Sequence, residues 1–349
     1  MKKKDEIEDP TFAALAELRK KYGDDVVAQA NNEPVKVEAI PTGCFAIDRL
    51  LGCGGLPRGR IIEMYGEPSS GKSATSLYFM SQIQKGGGSC VLIDAEYAFN
   101  SEFATSIGVD VKRLFVAQPA TLEEAMDTVR AFIAAGTQDL IVVDSVAALV
   151  PKREVEGDEM LADSVADQAR LMNKALRILT GEVARSKTVV IFINHLKEKI
   201  FTGYGSQWGE RTTTPGGKAL KFYASVRLAV SKGKKIENSK EQQIGNIVNV
   251  NATKNKVGFP YRKGTFELFY ASGVNQEADT LDTAEEMKVI QKIGNTYFFP
   301  DKEPKAGADG AGQNPIGVGR DKVIDILKND KTLYEKIRQA TQEAVQKES

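Results

Sequence analysis

The sequence predicts an α/β protein with a mostly parallel central sheet, and three observations carry that prediction. Residues Gly66 to Ser73 read GEPSSGKS, a full match to the phosphate-loop pattern G-x-x-x-x-G-K-[ST]. Short apolar runs rich in β-branched residues then alternate with helix-compatible stretches, as in strands joined by crossover helices. From Val226 onward, strand-like runs (VRLAV, NIVNVNAT, TFELFYA) follow one another without helices, which predicts added antiparallel strands.

Taken in order, Thr11 to Tyr22 has apolar residues at helical spacing and is expected to form a separate amphipathic helix ended by Gly23. Val35 to Ile40 (VKVEAI) alternates like a lone strand, which is marginal unless it pairs with something. Arg60 to Tyr65 is the strand entering the phosphate loop, and Ala74 to Lys85 the helix leaving it. Further strands are expected at Cys90 to Ile93, Leu114 to Ala117, Leu140 to Val143 and Thr188 to Ile193, with helices at Leu122 to Ala135 and Asp167 to Ala184. A Gly-rich, weakly apolar passage, Ala306 to Gly319, interrupts the C-terminal part before a last helical stretch, Arg320 to Ala344.

At 349 residues the chain is long for one core, and 42% apolar content supports a buried interior. The three cysteines include no C-x-x-C pair, which argues against a disulfide framework and a zinc site and for a reducing cytoplasm. The start MKKKDEIEDP has no apolar stretch behind it, so no signal peptide is read, and no run approaches a membrane span. Net charge is zero, yet Lys197 to Lys263 holds fourteen Lys and Arg against four Asp and Glu. That excess fits either a phosphate-attracting surface or a solvated basic face.

The phosphate loop carries the first chemistry. Its backbone N–H groups and the start of the following helix suit phosphate oxygens, Lys72 reaches the outer phosphates, and the Ser73 hydroxyl suits Mg²⁺. In DLIVVDS, Asp144 ends an apolar strand and is placed to help hold Mg²⁺. Asp94-Ala95-Glu96 ends another, and Glu96 is the candidate for orienting or deprotonating water, against the bland reading of a surface carboxylate.

GEPSSGKS, DAEYA at Asp94 to Ala98, IVVDSVAALVPKREVEG at Ile141 to Gly157, FINH at Phe192 to His195 and TTPGGKALKFYASVRL at Thr213 to Leu228 together closely resemble the bacterial RecA recombinases. The resemblance runs from about Thr11 to about Thr296. It implies a RecA-like P-loop ATPase core (41–274) with a mostly parallel sheet, an N-terminal helix-strand polymerisation arm (1–40) and a small C-terminal α/β domain (275–349). It also implies a DNA-dependent ATPase that uses ATP and Mg²⁺, forms filaments on single-stranded DNA and exchanges strands with homologous duplex. Promotion of self-cleavage by a LexA-like repressor in the SOS response goes with it.

Carried onto this sequence, the resemblance makes Gly66, Glu67, Pro68, Ser69, Ser70, Gly71, Lys72, Ser73 and Ala74 the phosphate cradle, with Ser73 and Asp144 on the metal. Asn100, Phe103 and Tyr270 fall on the nucleotide, and Glu96 matches the catalytic carboxylate. Lys254 and Lys256, in TKNK, match lysines that reach the terminal phosphate from the adjacent subunit, and Phe222 matches an interface residue; by themselves they read as a charged turn and an ordinary core aromatic. Two loops, 156–167 and 196–215, match DNA loops. Val165, Lys197, Lys199 and Ile200 belong to them, and Gly216, Gly217 and Lys218 directly follow the second, where the glycines would let backbone N–H groups approach a phosphate; Arg170, Asn173 and Arg177 lie on one face of the intervening helix.

There are departures. His195, the only histidine, stands where the family has Gln; imidazole changes charge near pH ~6.5, so DNA-stimulated hydrolysis is expected to be pH-sensitive in a way that His195→Gln abolishes. Asn100 stands where Asp is expected opposite the adenine amino group, and the second loop carries extra residues including Trp208, which could stack on a base or pack on its own loop. Asp301 to Ser349 holds nine acidic and nine basic residues rather than a strongly acidic tail. A helicase or small-molecule kinase would not account for paired DNA loops and TKNK, whereas a filament scaffold without turnover is harder to exclude.

Overall fold

A computed structural model describes residues 10–23, 37–157, 164–198, 212–300 and 313–348; the side chains of 164, 165, 198, 212, 213, 300, 313 and 314 are outside the description. The chain forms two compact units, Met1–Lys36 and Val37–Ser349. Within the first, the expected helix spans Pro10–Tyr22 and ends where Gly23, at φ 97°, returns its N–H to the Arg19 carbonyl.

The second unit is organised by a nine-stranded sheet in the order Gly273–Val274, Lys263–Phe269, Gln243–Asn255, Val226–Glu237, Ile61–Gly66, Val189–His195, Leu140–Asp144, Cys90–Asp94, Leu114–Ala117. The last six run parallel and the first three are added antiparallel; the expected antiparallel addition thus begins one strand later than Val226, because Val226–Glu237 runs parallel to Ile61–Gly66 and only its other edge pairs antiparallel, with Gln243–Asn255. The parallel strands read as unbroken apolar runs because both faces are covered. Ile62, Met64, Leu92, Val142 and Ile191 pack on the side of helix Lys72–Lys85, while Ile61, Val91, Ile141, Val143 and Phe192 pack on the side of helices Leu122–Ala135 and Ser164–Ser186.

Three expectations need correction. Of the lone strand Val35 to Ile40, positions 35 and 36 lie outside the described residues, and Ala39–Ile40 pairs with Leu56–Pro57 of the same chain. The strand therefore has a local partner along one edge. The weakly apolar passage 306–319 contains a strand, Gln313–Val318, which pairs with Thr296–Pro300 in a three-stranded antiparallel sheet. Only Ile316 and Val318 of this strand are aliphatic, too few to give an alternating signal. The last helical stretch is two helices, Arg320–Asn329 and Lys331–Glu348, broken at Asp330, whose carboxylate accepts from Leu333 N at 2.9 Å and starts the second.

The C-terminal elements have their own core of Leu281, Ile290, Tyr297, Val323, Leu327 and Ile337. They join the region of the nine-stranded sheet through Asp279, whose buried carboxylate accepts from Phe45 N and Ala46 N at 2.6 and 3.0 Å, at the start of helix Phe45–Leu51. One turn along that helix lies Asp48, also buried, accepting from Thr42 N and Oγ1. Burial pushes Asp48 up to about 8, against the two Thr42 hydrogen bonds, with a smaller push from the Asp279 charge. Because the folded-state value lies above the unfolded one, this group stabilises most below pH ~4, and that contribution is lost as pH rises through about 8. Melting temperature is therefore expected to fall from pH 6 to 9 with a steeper slope in the wild type than in Asp48→Asn, which keeps the shape without the charge. Equal slopes would rule this out.

Candidate functional site

The parallel strands bring their carboxyl ends together. Gly66 lies beside His195 in the ladder and Asp94 beside Asp144, so four segments far apart in sequence end at one sheet edge. Ligands of open α/β sheets bind at this edge.

The phosphate loop leaves from Gly66. A Cβ there would lie 2.0 Å from the Val230 carbonyl oxygen of the neighbouring strand, so only glycine fits. The loop closes at Gly71, at φ 98°, which precedes helix Lys72–Lys85 without any side-chain cap. The first N–H groups of the helix are thus left for a ligand. Glu67, Pro68 and Ser69 form the exposed crest, while Ser70 is buried. Lys72, only 4% exposed, folds back over its own loop, donating to the carbonyls of Gly66 (3.1 Å) and Glu67 (2.7 Å). Burial pulls its pKa down, against the charges of Asp144 and Glu96.

Asp144 accepts a hydrogen bond from Ser73, and burial holds its carboxyl above the usual range despite that bond. One hydroxyl and one carboxylate are too few for a closed cage, but they fit Mg²⁺, which takes one or two protein oxygens and completes its shell with waters and phosphates. Ser73, Ala98, Phe99, Asn100, Phe103, Asp144 and Glu96 line one cavity of about 150 Å³ beside the loop. Its apolar wall of Leu77, Met80, Leu92 and Val142 suits the flat face of a base.

Glu96 is half-exposed at the rim of this cavity and accepts from two directions: the Ser145 hydroxyl and His195 Nε2, the latter at 2.9 Å. Burial works to raise its pKa, but those two hydrogen bonds and the His195 and Lys72 charges outweigh it, so the carboxyl lies below its ordinary value. Asp94 acts on the backbone instead, accepting from Ala98 N, Phe99 N and Gln118 Nε2, and so shapes the segment carrying Glu96.

Not every expected residue arrives as expected. The Asn100 oxygen caps helix Ser101–Ile107 by accepting from Phe103 N at 2.8 Å, which leaves its amide donors and one oxygen lone pair for a base. Tyr270 does not line the cavity; its hydroxyl accepts from Gln243 and Asn246, and its carbonyl accepts from Ser106 Oγ. Lys254 is likewise away from it, donating from Nζ to the carbonyls of Lys221 and Phe222 at 2.8 and 2.9 Å at the end of helix Ala219–Tyr223. Burial, then the charges of Lys256 and Arg227, lowers its pKa. Phe222, on that helix, is 66% exposed rather than a core aromatic.

Around the two loops expected to contact nucleic acid, Arg170, Asn173 and Arg177 are all exposed along helix Ser164–Ser186, with Arg170 Nη1 3.3 Å from Asp167. The second loop has a paired base, Lys197–Glu198 against Thr212–Thr213, and exits through Gly216 and Gly217 to an exposed Lys218. The Gly216 N–H, expected to meet a phosphate, instead donates to Gln168 Oε1 at 3.3 Å. Lys199, Ile200, Trp208 and Arg211 lie outside the described residues, as does the Val165 side chain.

Sequence reasoning missed Ser145, Gln168 and the buried Glu63. Ser145 is adjacent to Asp144 and so was findable; Gln168 and Glu63 matter only through partners far away in the chain.

Comparison with known proteins gives a consistent result. A profile described as the RecA N-terminal domain matches residues 11–275. The chain is similar to Protein RecA of Clostridium acetobutylicum, 40% identical over 338 residues, 93% of this chain and 95% of the relative. It is also similar to Protein RecA of Bifidobacterium breve, 42% identical over 325 residues (93% and 78%). Protein RecA of Bacillus subtilis is 38% identical over 332 residues (95% and 90%).

Proposed function

Because this chain belongs to the RecA family, we propose that it is a DNA-dependent ATPase and homologous recombinase, assembling with ATP on single-stranded DNA and pairing it with homologous duplex. The observation that carries this reading is the convergence of the phosphate loop, Glu96 and the base of the second loop on one sheet edge, where Leu196 N donates to the Gly66 carbonyl at 3.2 Å. A nucleotide and a DNA strand bound there would be felt through the same few residues.

In this reading Lys72 exchanges the carbonyls of Gly66 and Glu67 for phosphate oxygens, and the uncapped helix start receives the rest of the phosphate charge. Ser73 and Asp144 would hold Mg²⁺, which when bound would neutralise phosphate charge. Glu96, kept ionised by Ser145 and His195, orients the attacking water and takes its proton, and the His195 ring at 2.9 Å is placed to report that change to the second loop. Arg170, Asn173, Arg177, Lys197 and Lys218 give the DNA backbone its contacts.

Self-assembly is supported by two surfaces. The outer strand Leu114–Ala117 leaves one sheet edge unpaired among the described residues, with Phe115 61% exposed, the kind of edge an extended segment of another copy can complete. Phe222 and Lys254 meet on one short helix, so docking there would put both at a joint; reaching a neighbour's phosphate requires Lys254 to leave the carbonyls of Lys221 and Phe222. Repressor co-cleavage rests on family membership alone, and incubating assembled filaments with a LexA-like repressor tests it.

The direct test is ATP turnover with and without single-stranded DNA, alongside imaging of assemblies. Turnover that rises at least tenfold with DNA, together with filaments, is the expected result; DNA-independent turnover would favour a kinase, and filaments without turnover a scaffold.

A further inference from the structure

Gln168 sits in the second turn of helix Ser164–Ser186, just after the first candidate DNA loop, and all of its side-chain hydrogen bonding is spent on other segments. Its Nε2 donates to the carbonyls of Leu149 at 2.7 Å and Val146 at 3.2 Å. Its Oε1 accepts from Gly216 N, at the exit of the second candidate DNA loop. Val146 directly follows Ser145, whose hydroxyl holds Glu96. The contacts around this hub are close: a Cβ on Gly216 would lie 3.1 Å from Val146 Cγ1, and one on Gly217 2.8 Å from the Ala169 Cβ.

We propose that Gln168 is a positioning residue that ties both DNA loops to the catalytic carboxylate, through the turn Val146–Ala148 and Ser145. One amide spans three segments: the helix leaving the first loop, the glycines leaving the second, and the turn after the strand that ends in Asp144. A shift of either loop draws on the same two carbonyls and therefore on the position of Ser145 relative to Glu96. The sequence offers no reason for glutamine at this helix position, since neither propensity nor apolar spacing requires it. Two donors and one acceptor on a short side chain are what this junction uses, and neither Met nor Glu provides both.

This inference rests on the functional reading above, and its test separates the two. Turnover with and without single-stranded DNA, DNA affinity by fluorescence anisotropy and melting temperature are measured for the wild type, Gln168→Met and Gln168→Glu. Met keeps the length and removes every hydrogen bond; Glu keeps the acceptor for Gly216 and removes the donors to Val146 and Leu149. Both variants are expected to keep DNA-independent turnover and DNA affinity within about threefold, while the stimulation ratio falls by about tenfold, within the range of couplings between sites. A merely structural role would lower basal and stimulated turnover together. Stimulation retained in Gln168→Glu would overturn the link to Ser145 even if Gln168→Met fails to fold, and stimulation retained in both would overturn the whole inference. Absence of stimulation in the wild type would overturn the functional reading and this inference with it.

Discussion

Replacing Glu96 by Gln is expected to lower DNA-stimulated ATP turnover by about 10²- to 10⁴-fold, the usual contribution of a positioned general base. Gln still accepts from the Ser145 hydroxyl and keeps the side-chain volume, so the rim of the nucleotide cavity should not collapse. What is lost is the charge, and with it the ability to take a proton from water. Nucleotide affinity is expected to stay within a few-fold, because Lys72, Ser73 and the helix start are untouched. The pH profile supplies a second check. Since Ser145 and His195 hold the Glu96 carboxyl below its ordinary value, its base form is lost only as pH falls through that lowered range, and above pH ~5 its protonation should not limit the wild type. A Glu96→Gln protein that turns over ATP within threefold of wild type would remove Glu96 from the chemistry.

The largest stability effect is expected from Glu63→Leu, at about 3–5 kcal/mol, because it strands a buried charge. Glu63 is fully buried and uses its two oxygens on different strands: Oε2 accepts from Arg227 Nε at 2.5 Å, and Oε1 from Asn194 Nδ2 at 3.2 Å. Arg227 also lies over the Tyr65 ring at 4.4 Å, so removing the carboxylate leaves a guanidinium held in place without its counter-charge. The companion expectation is that Glu63→Leu/Arg227→Met recovers most of the loss, since an apolar pair of similar volume is often as stable as a buried ion pair. Asn194 limits that recovery by losing an acceptor, while its second bond, to the Pro215 carbonyl at 3.1 Å, survives. Urea denaturation of both singles and the double closes the cycle. A loss below about 1 kcal/mol in Glu63→Leu would contradict the assignment of this pair as a structural tie.

Much of the site was legible because its residues are contiguous. GEPSSGKS contains its glycines, lysine and serine within one turn, and the strands ending in Asp94 and Asp144 announce themselves as apolar runs that stop at a carboxylate. The central parallel strands Ile61–Gly66, Cys90–Asp94, Leu140–Asp144 and Val189–His195 were equally readable, since burial on both faces forces unbroken apolar segments. What the sequence did not show is how these residues are partnered: the Asn100 oxygen caps helix Ser101–Ile107 by accepting from Phe103 N, and the Gly216 N–H donates to Gln168. Lys254 reads as a charged turn until the fold sets it on the carbonyls of the helix that carries Phe222.

By itself, then, the sequence determined the family, the phosphate loop, the identity of the carboxylates and five of the parallel strands as segments, all properties of short stretches with their own periodicity and composition. Only the tertiary structure decided that Glu96 is held between Ser145 and His195, that the long helix with its three exposed polar residues holds the second loop's exit at its start, and that Glu63 joins three strands. Hydrogen bonds between residues 49 to 164 positions apart leave no local pattern, because their energy is realised only once the sheet has set the register that brings them together.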